Sequence, residues 1–230
     1  MLGIRRRLLQ LKGKILSEID LNDNGERVDI RYDRNVDFDK LDLYQKSHYR
    51  RYEFASNLVP PGGTCGDFAC GTGYGSVMLS EKCKKVIGAD INSVVIKNIK
   101  SRYKTINNVE FHVADLLDLE YENSFESIIS FETIEHFREH DIKSLLKVYH
   151  KALKPDGRLI FSTPYKQERS DAALKLGFHQ TFWINEEIID QWLKESNFKI
   201  EFSKYQNYQT HTIQDCLELK DFIICVAKKV

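Results

Sequence analysis

Residues 64–75 read Thr64-Cys65-Gly66-Asp67-Phe68-Ala69-Cys70-Gly71-Thr72-Gly73-Tyr74-Gly75. A strand pattern over Thr64–Phe68 runs straight into a glycine-rich turn, and a helix pattern follows. Strand, tight glycine turn and helix together make a nucleotide-cofactor site. Glycine permits φ > 0 and lets a ligand approach the backbone, and the N–H groups opening the helix face a negative group. Outward from this stretch, strand patterns recur at Lys85–Asp90, Val109–Val113, Phe125–Phe131, Gly157–Thr163, Phe198–Ser203 and Phe222–Lys228. Helix patterns fall at 43–58, 74–82, 92–104, 139–153 and 185–195. Alternating β and α elements predict an α/β fold, a mostly parallel sheet with helices on both faces. The last two strands lack a clear helix between them, which suits an antiparallel hairpin at one edge.

Three acids sharpen the turn. Asp90 ends the second strand, 19 residues after Gly71, where an acid accepts both hydrogen bonds of a ribose diol. Asp115, in His112-Val113-Ala114-Asp115-Leu116, stands where it can accept from an adenine amino group. Asp67 discriminates between cofactors. A carboxylate beside a pyrophosphate is repelled, whereas beside a methionine ammonium and a sulfonium it is favoured. Of the two cofactor classes that use this geometry, dinucleotides and S-adenosyl-L-methionine, charge therefore prefers the cationic one.

The stretch Asp67–Gly75 resembles the first motif of class I S-adenosylmethionine-dependent methyltransferases, with Ala69 where glycine is commoner. Val86-Ile87-Gly88-Ala89-Asp90-Ile91-Asn92 is similar to the second motif and Val113-Ala114-Asp115-Leu116 to the third. Ser130-Phe131-Glu132-Thr133-Ile134-Glu135-His136-Phe137 resembles the fourth motif of the subgroup holding ubiquinone-type and sugar O-methyltransferases, and 153–164 resembles the helix-to-strand-five motif. The resemblance covers roughly residues 44–230. It implies a Rossmann-like seven-stranded sheet of order 3-2-1-4-5-7-6, strand seven antiparallel. It also implies a cofactor site of Asp67, Ala69, Gly71, Gly73, Asp90, Ile91, Asp115, Leu116 and Phe131. Upstream, His48-Tyr49-Arg50-Arg51-Tyr52-Glu53-Phe54-Ala55 resembles a segment of bacterial glycan methyltransferases. Related enzymes set an arginine there against the cofactor carboxylate, which points to Arg51, with Arg50 as its rival. Tyr44 and His48 are candidates to cover the cofactor.

Methyl transfer is an in-line displacement that gains most from holding nucleophile and methyl together, and an alcohol acceptor needs a base. His136 follows strand four, where substrate meets cofactor, and is the first candidate base. His179, in Gly177-Phe178-His179-Gln180-Thr181-Phe182-Trp183, is the second, in a segment whose Phe and Trp suit stacking on a sugar face. Glu132 is expected to line the cofactor side, and Glu135 to orient His136. Tyr165 and Lys166 are weaker acceptor contacts. His136-Phe137-Arg138-Glu139-His140 spells a zinc-protease pattern, but its first histidine sits at a strand-to-helix junction, not on a helix face. No paired Asp-Asp/Asn ligands of the catechol-type metal site flank strands four and five, so metal-independent chemistry is expected. Ser162-Thr163-Pro164-Tyr165 is similar to the N-P-P-Y motif of nucleobase methyltransferases, but follows the wrong strand and lacks the amide. A sugar epimerase or reductase would need a Tyr-x-x-x-Lys pair, which is missing from the 230 residues. A non-catalytic relative of the fold is disfavoured by intact Gly71, Gly73, Asp90 and His136.

Composition bounds the rest. Lys plus Arg and Asp plus Glu each number 34, giving zero net charge, which argues against a nucleic-acid binder. No apolar run reaches the roughly 18 residues of a membrane span. The five cysteines, Cys65, Cys70, Cys83, Cys216 and Cys225, contain no C-x-x-C pair and read as free thiols in a reducing cytoplasm. The balance conceals a polarity. Residues 1–20 carry five bases and two acids, and 21–42 carry seven acids and four bases. Leu8, Leu9, Ile15, Leu16 and Ile19 predict a helix that packs on the domain, on a second subunit of a homodimer, or peripherally on anionic lipid. Residues 21–42 read as a solvated linker whose Asn22-Asp23-Asn24-Gly25 opening is turn chemistry and lacks the later ligands of a calcium loop. The organisation is thus an arm and linker over 1–42 and a methyltransferase domain over 43–230. The combined expectation is O-methylation of a small-molecule acceptor, a sugar or sugar-nucleotide hydroxyl of surface-polysaccharide synthesis. The alternative acceptor is a phosphorylated or phosphoramidate capsule precursor, or a quinone.

Overall fold

A computed structural model describes residues 27–33, 36–171 and 179–230. Its strands are β1 (Thr64–Phe68), β2 (Lys85–Asp90), β3 (Val109–Val113), β4 (Phe125–Phe131), β5 (Leu153–Pro164), β6 (Phe198–Gln206), β7 (Ile213–Gln214) and β8 (Phe222–Lys229). They form one sheet of order β3-β2-β1-β4-β5-β8-β6-β7. β1 to β5 are parallel, and β8 runs antiparallel between β5 and β6. Every residue of β1 after Thr64 is buried, and β4 is buried except at Glu126, as expected of parallel strands covered on both faces.

The predicted order holds, with β8 in the place of strand seven, but the sheet has eight strands among the described residues rather than seven. The addition is β7, which pairs Ile213 with Gln206 and Gln214 with Tyr205. Two residues are too few to carry a period-2 pattern.

The helices are α1 (Leu43–Ser56), α2 (Tyr74–Leu79), α3 (Ser93–Arg102), α4 (Glu139–Ala152) and α5 (Glu186–Glu195). Tyr52 of α1, Val77 of α2 and Ile96 of α3 share one core; Ile142 and Leu145 of α4 share the other with Trp192 of α5. The two cores flank the sheet. Caps set the helix starts. Asp42 accepts from Gln45 N while Gln45 Oε1 accepts from Asp42 N. Asn92 caps α3 and Asn185 caps α5. Such caps are each worth about 1 kcal/mol.

The solvated linker expected over 21–42 is corrected in its described part. Val28, Ile30 and Tyr32 are buried in the first core. Thr72 Oγ1 donates to Val28 O (2.7 Å), Gln45 Nε2 to Asp29 O (2.8 Å) and Tyr32 Oη to Glu81 (2.7 Å). Arg102 pairs with both oxygens of Asp29 at 2.5 and 3.0 Å. Alternate apolar residues drive this: Val28, Ile30 and Tyr32 face in while charged neighbours face out. The expected helix over 1–20 and the turn at Asn22–Gly25 lie outside the described residues. No helix among the described residues is long and apolar enough to cross a membrane.

Gly75 lets α1 meet α2. A Cβ there would lie 2.2 Å from the Tyr52 ring, and that ring is buried with its hydroxyl bonded to Asp67. Gly75→Ala is expected to destabilise the fold by about 1–3 kcal/mol despite alanine's better helix propensity. Denaturant unfolding checks this; an unchanged or higher midpoint would refute the packing argument.

Candidate active site

The parallel strands deliver their carboxyl ends to one edge of the sheet, at Phe68, Asp90, Val113, Phe131 and Pro164. Strand order reverses between β1 and β4, and a crevice at that point is where open α/β sheets bind ligands.

The glycine turn lies on the β1 side. Ala69, Gly71 and Gly73 take φ of 63°, 52° and 76°. Gly73 N closes the turn on Cys70 O (3.0 Å). A Cβ on Gly71 would have nothing within 4 Å, so open space adjoins the backbone there. Ala69 holds a left-handed conformation that costs a non-glycine residue about 1–2 kcal/mol, which explains the commoner glycine of the motif.

Asp90 is buried beneath the turn. Its Oδ2 accepts from Gly71 N (3.1 Å) and its Oδ1 from Asn92 N (2.8 Å), while Arg27 Nη2 approaches Oδ1 at 3.8 Å. Asp115 spends one oxygen capping the turn after β3, accepting from Leu117 N (3.0 Å). Ile91 is 54% exposed, an apolar face beside Asp90, whereas Leu116 is buried in the second core. Phe131 is also buried; its ring meets Tyr52 edge-on at 5.0 Å, so its side chain serves the core and not the crevice.

Asp67 departs from the direct cation contact expected of it. It is fully buried, and each oxygen is engaged: Tyr52 Oη donates to Oδ1 (2.9 Å) and Ser76 Oγ to Oδ2 (2.5 Å). Burial pushes its carboxyl up to about 6, against those two hydrogen bonds. Its charge therefore acts from behind Tyr52 and Ser76.

Arg51 is fully buried. Its Nη1 donates to Gln206 Oε1 (2.7 Å), and its guanidinium stacks on Phe222 at 4.3 Å. Nε and Nη2 are buried without a hydrogen-bond partner. A buried guanidinium with two unspent donors fits a carboxylate ligand, and this observation supports the cofactor site. Its rival Arg50 pairs with Glu53 at the surface. His48 Nδ1 meets Tyr74 Oη at 2.6 Å, and Tyr44 meets the His48 ring edge-on.

The candidate catalytic groups gather at β4 and β5. His136 and His179 meet edge to face, centroids 5.0 Å apart. Glu132 follows β4 with φ 48° and accepts from Ser162 Oγ (2.6 Å). Glu135, 1% exposed, accepts from Thr163 Oγ1 at Oε2 (3.0 Å), and its Oε1 is buried without a partner. Burial, then the charge of Glu132, hold the Glu135 carboxyl well above the usual range. His179 Nδ1 meets Gln167 Oε1 at 2.6 Å. Burial, then His136, lower His179 to about 4, so it is neutral near pH 7.

Two backbone segments are clipped together here. Gln180 N and Thr181 N both donate to Glu135 O (2.7 and 3.1 Å), Gln180 Nε2 to His136 O (2.8 Å) and Thr181 Oγ1 to Phe137 O (2.7 Å). Sequence reasoning missed Tyr52, Ser76, Gln167, Gln206 and Phe222. Tyr52 and Ser76 adjoin residues already singled out; the other three carry no local signal.

Comparison with known proteins points to methyltransferases. Residues 66–157 match the family described as "Methyltransferase domain". A probable S-adenosylmethionine-dependent methyltransferase of Mycolicibacterium smegmatis is 26% identical over 136 residues, 57% of this chain and 50% of that protein. A malonyl-[acyl-carrier protein] O-methyltransferase of Priestia megaterium is 32% identical over 99 residues, 42% of this chain and 35% of that protein. The chain thus spans half or less of the length of these curated relatives. The crystal structure of the N-methyltransferase NodS from Bradyrhizobium japonicum with S-adenosyl-L-homocysteine superposes with a TM-score of 0.64 at 16% identity, covering 86% of this chain and 93% of that one.

The fold is the Rossmann-like α/β fold of methyltransferases, and within it residues 66–157 match a methyltransferase domain.

Asp90→Ala is expected to weaken S-adenosylmethionine binding at least tenfold, read by calorimetry; unchanged affinity would refute the ribose role. The second expectation concerns pH. A cation near Asp67 favours its ionised form, so cofactor binding near pH 6 should release a proton, and affinity should fall as pH drops through about 6. Calorimetry at pH 6 in buffers of different ionisation enthalpy reads the release; buffer-independent heats would count against it.

Proposed function

We propose that the protein is an S-adenosylmethionine-dependent O-methyltransferase acting on a hydroxyl of a small polar acceptor, a sugar or sugar nucleotide. The observation that carries this is the His136–His179 pair, clipped at the carboxyl end of β4 beside the half-buried Glu132 and the buried Glu135. S-adenosylmethionine, when bound, supplies a methyl group on a cationic sulfur. Arg51, Asp67, Gly71, Asp90 and Asp115 bind and orient it. An acceptor hydroxyl at the histidine pair gives up its proton there, and its oxygen forms the new bond to the methyl carbon as the carbon–sulfur bond breaks, sulfur keeping the electron pair. Glu135 and Gln167 hold the imidazoles in register.

Trp183 supports a sugar. It follows His179 on the same segment and is 51% exposed, a flat apolar face of the sort that stacks on a pyranose. The other tryptophan, Trp192, is buried, so acceptor binding should change the emission of Trp183 alone. The likeness to a malonyl-[acyl-carrier protein] O-methyltransferase favours a carboxylate acceptor as the second reading. A carboxylate is already ionised and needs no base, and this separates the two.

His136→Ala is expected to lower kcat by about 10²–10⁴ while S-adenosylmethionine affinity stays unchanged. The measurement is turnover against sugar nucleotides and phosphorylated metabolites with mass detection of the added methyl. Full activity of the variant on a hydroxyl acceptor would remove His136 as the base.

A further inference from the structure

We propose that Arg27 is an internal competitor for the ribose of the cofactor, a positioning residue that acts through Asp90 and sets how tightly the nucleoside is held. The proposal rests on Asp90 as the ribose acceptor and not on which molecule receives the methyl group.

An ionised carboxylate offers about four acceptor positions on its two oxygens. On the buried Asp90, Gly71 N takes one at Oδ2 and Asn92 N takes one at Oδ1. A ribose diol brings a donor for each oxygen and so needs what remains. Arg27 already stands at Oδ1, its Nη2 3.8 Å away and its side chain 19% exposed. That separation is too long for a hydrogen bond but close enough for an ion pair, and among the described residues no other cation pairs with Asp90. A guanidinium and a ribose hydroxyl cannot both fill the last position on Oδ1. Entry of the nucleoside therefore requires Arg27 to withdraw.

The segment after Arg27 holds it in place for this. Val28 O accepts from Thr72 Oγ1 (2.7 Å), and Thr72 lies between Gly71 and Gly73 in the glycine turn. Val28, Ile30 and Tyr32 are buried in the first core, and Asp29 is tied to Arg102 and to Gln45. Residues 28–32 are thus anchored on the turn, on α3 and on α1, while the long Arg27 side chain can turn about its own bonds. The guanidinium can leave Asp90 as a nucleoside arrives and return as it departs, with the anchored segment unmoved.

Apparent affinity falls with the fraction of empty sites in which Asp90 is unoccupied. S-adenosylmethionine and S-adenosylhomocysteine carry the same ribose, so Arg27 weakens both alike. Preference between them is left to the charge at sulfur. The spent product is loosened with the substrate, which assists turnover where product release is slow.

Calorimetric affinities for S-adenosylmethionine and S-adenosylhomocysteine, measured on the full-length protein without acceptor, are the test. Arg27→Ala is expected to bind both about 2–10-fold more tightly, with their ratio unchanged. Arg27→Lys keeps the charge and is expected to stay near the unaltered protein. In an Asp90→Asn background the guanidinium has lost its partner, and Arg27→Ala is expected to change nothing. Unchanged binding in Arg27→Ala would overturn the proposal, as would weaker binding, which would make Arg27 a cofactor contact. Tightening that survives in the Asp90→Asn background would overturn it too. Failure of the O-methyltransferase reading would appear separately, as absent turnover on hydroxyl acceptors beside this pattern of affinities.

Discussion

The carboxylate of Asp67 is the constraint around which the molecule is arranged. It stands at the carboxyl side of the central strand, wholly out of water, and is tolerable there only because Tyr52 and Ser76 each donate to one oxygen. Those donors come from different helices, so one buried charge joins α1 and α2 to β1. To reach Asp67, the Tyr52 ring must cross where Gly75 has no side chain. It also lies against Phe131 at the end of β4, which links the glycine turn to the β4 side of the crevice. Burial strains the charge, as the raised carboxyl shows, and a bound cation relieves it.

The crevice divides its labour by strand. β1, β2 and β3 contribute the glycine turn, Asp90 and Asp115, a set that suits a nucleoside and a cationic tail. β4 and β5 contribute Glu132, Glu135, His136 and the residues that hold them. Arg51 bridges the halves. It reaches from α1, is secured by Gln206 of β6 and Phe222 of β8, and its charge lowers the Glu132 carboxyl against the effect of burial. The antiparallel edge of the sheet is therefore more than a cover, since two of its strands fix this one side chain.

Local pattern made much of this visible in the sequence. β1, β2 and β4 fall on their predicted bounds because mainly apolar runs are flanked by turn residues such as Pro60–Gly63, Gly71, Asn92 and Asn123, and β3 because Val109, Phe111 and Val113 alternate with polar residues. Asp90 could be placed because its distance from Gly71 reflects one β–α–β unit. What escaped was non-local or disguised. Residues 27–33 alternate apolar and charged, yet the acid-rich count of their surroundings suggested solvent. β7 is too short to have a period. The meeting of His136 with His179 depends on backbone hydrogen bonds between segments separated by α4 and β5. Gln167, Gln206 and Phe222 act on one partner each, far away in sequence. Even Asp67, singled out for its charge, has both oxygens engaged by Tyr52 and Ser76 rather than free for the direct cation contact expected of it.

The clip at Glu135 has an evolutionary side. The carbonyl oxygen of Glu135 and the amides of Gln180 and Thr181 locate His179 from its own flank, while Gln167 grips the ring itself. His179 is thereby located by its own C-terminal flank and by one side chain just beyond β5. Substitutions at the exposed Trp183, beyond the clip, can change the surface met by an acceptor without disturbing the pair of imidazoles. Acceptor preference can drift among descendants of such a chain while the chemistry stays the same.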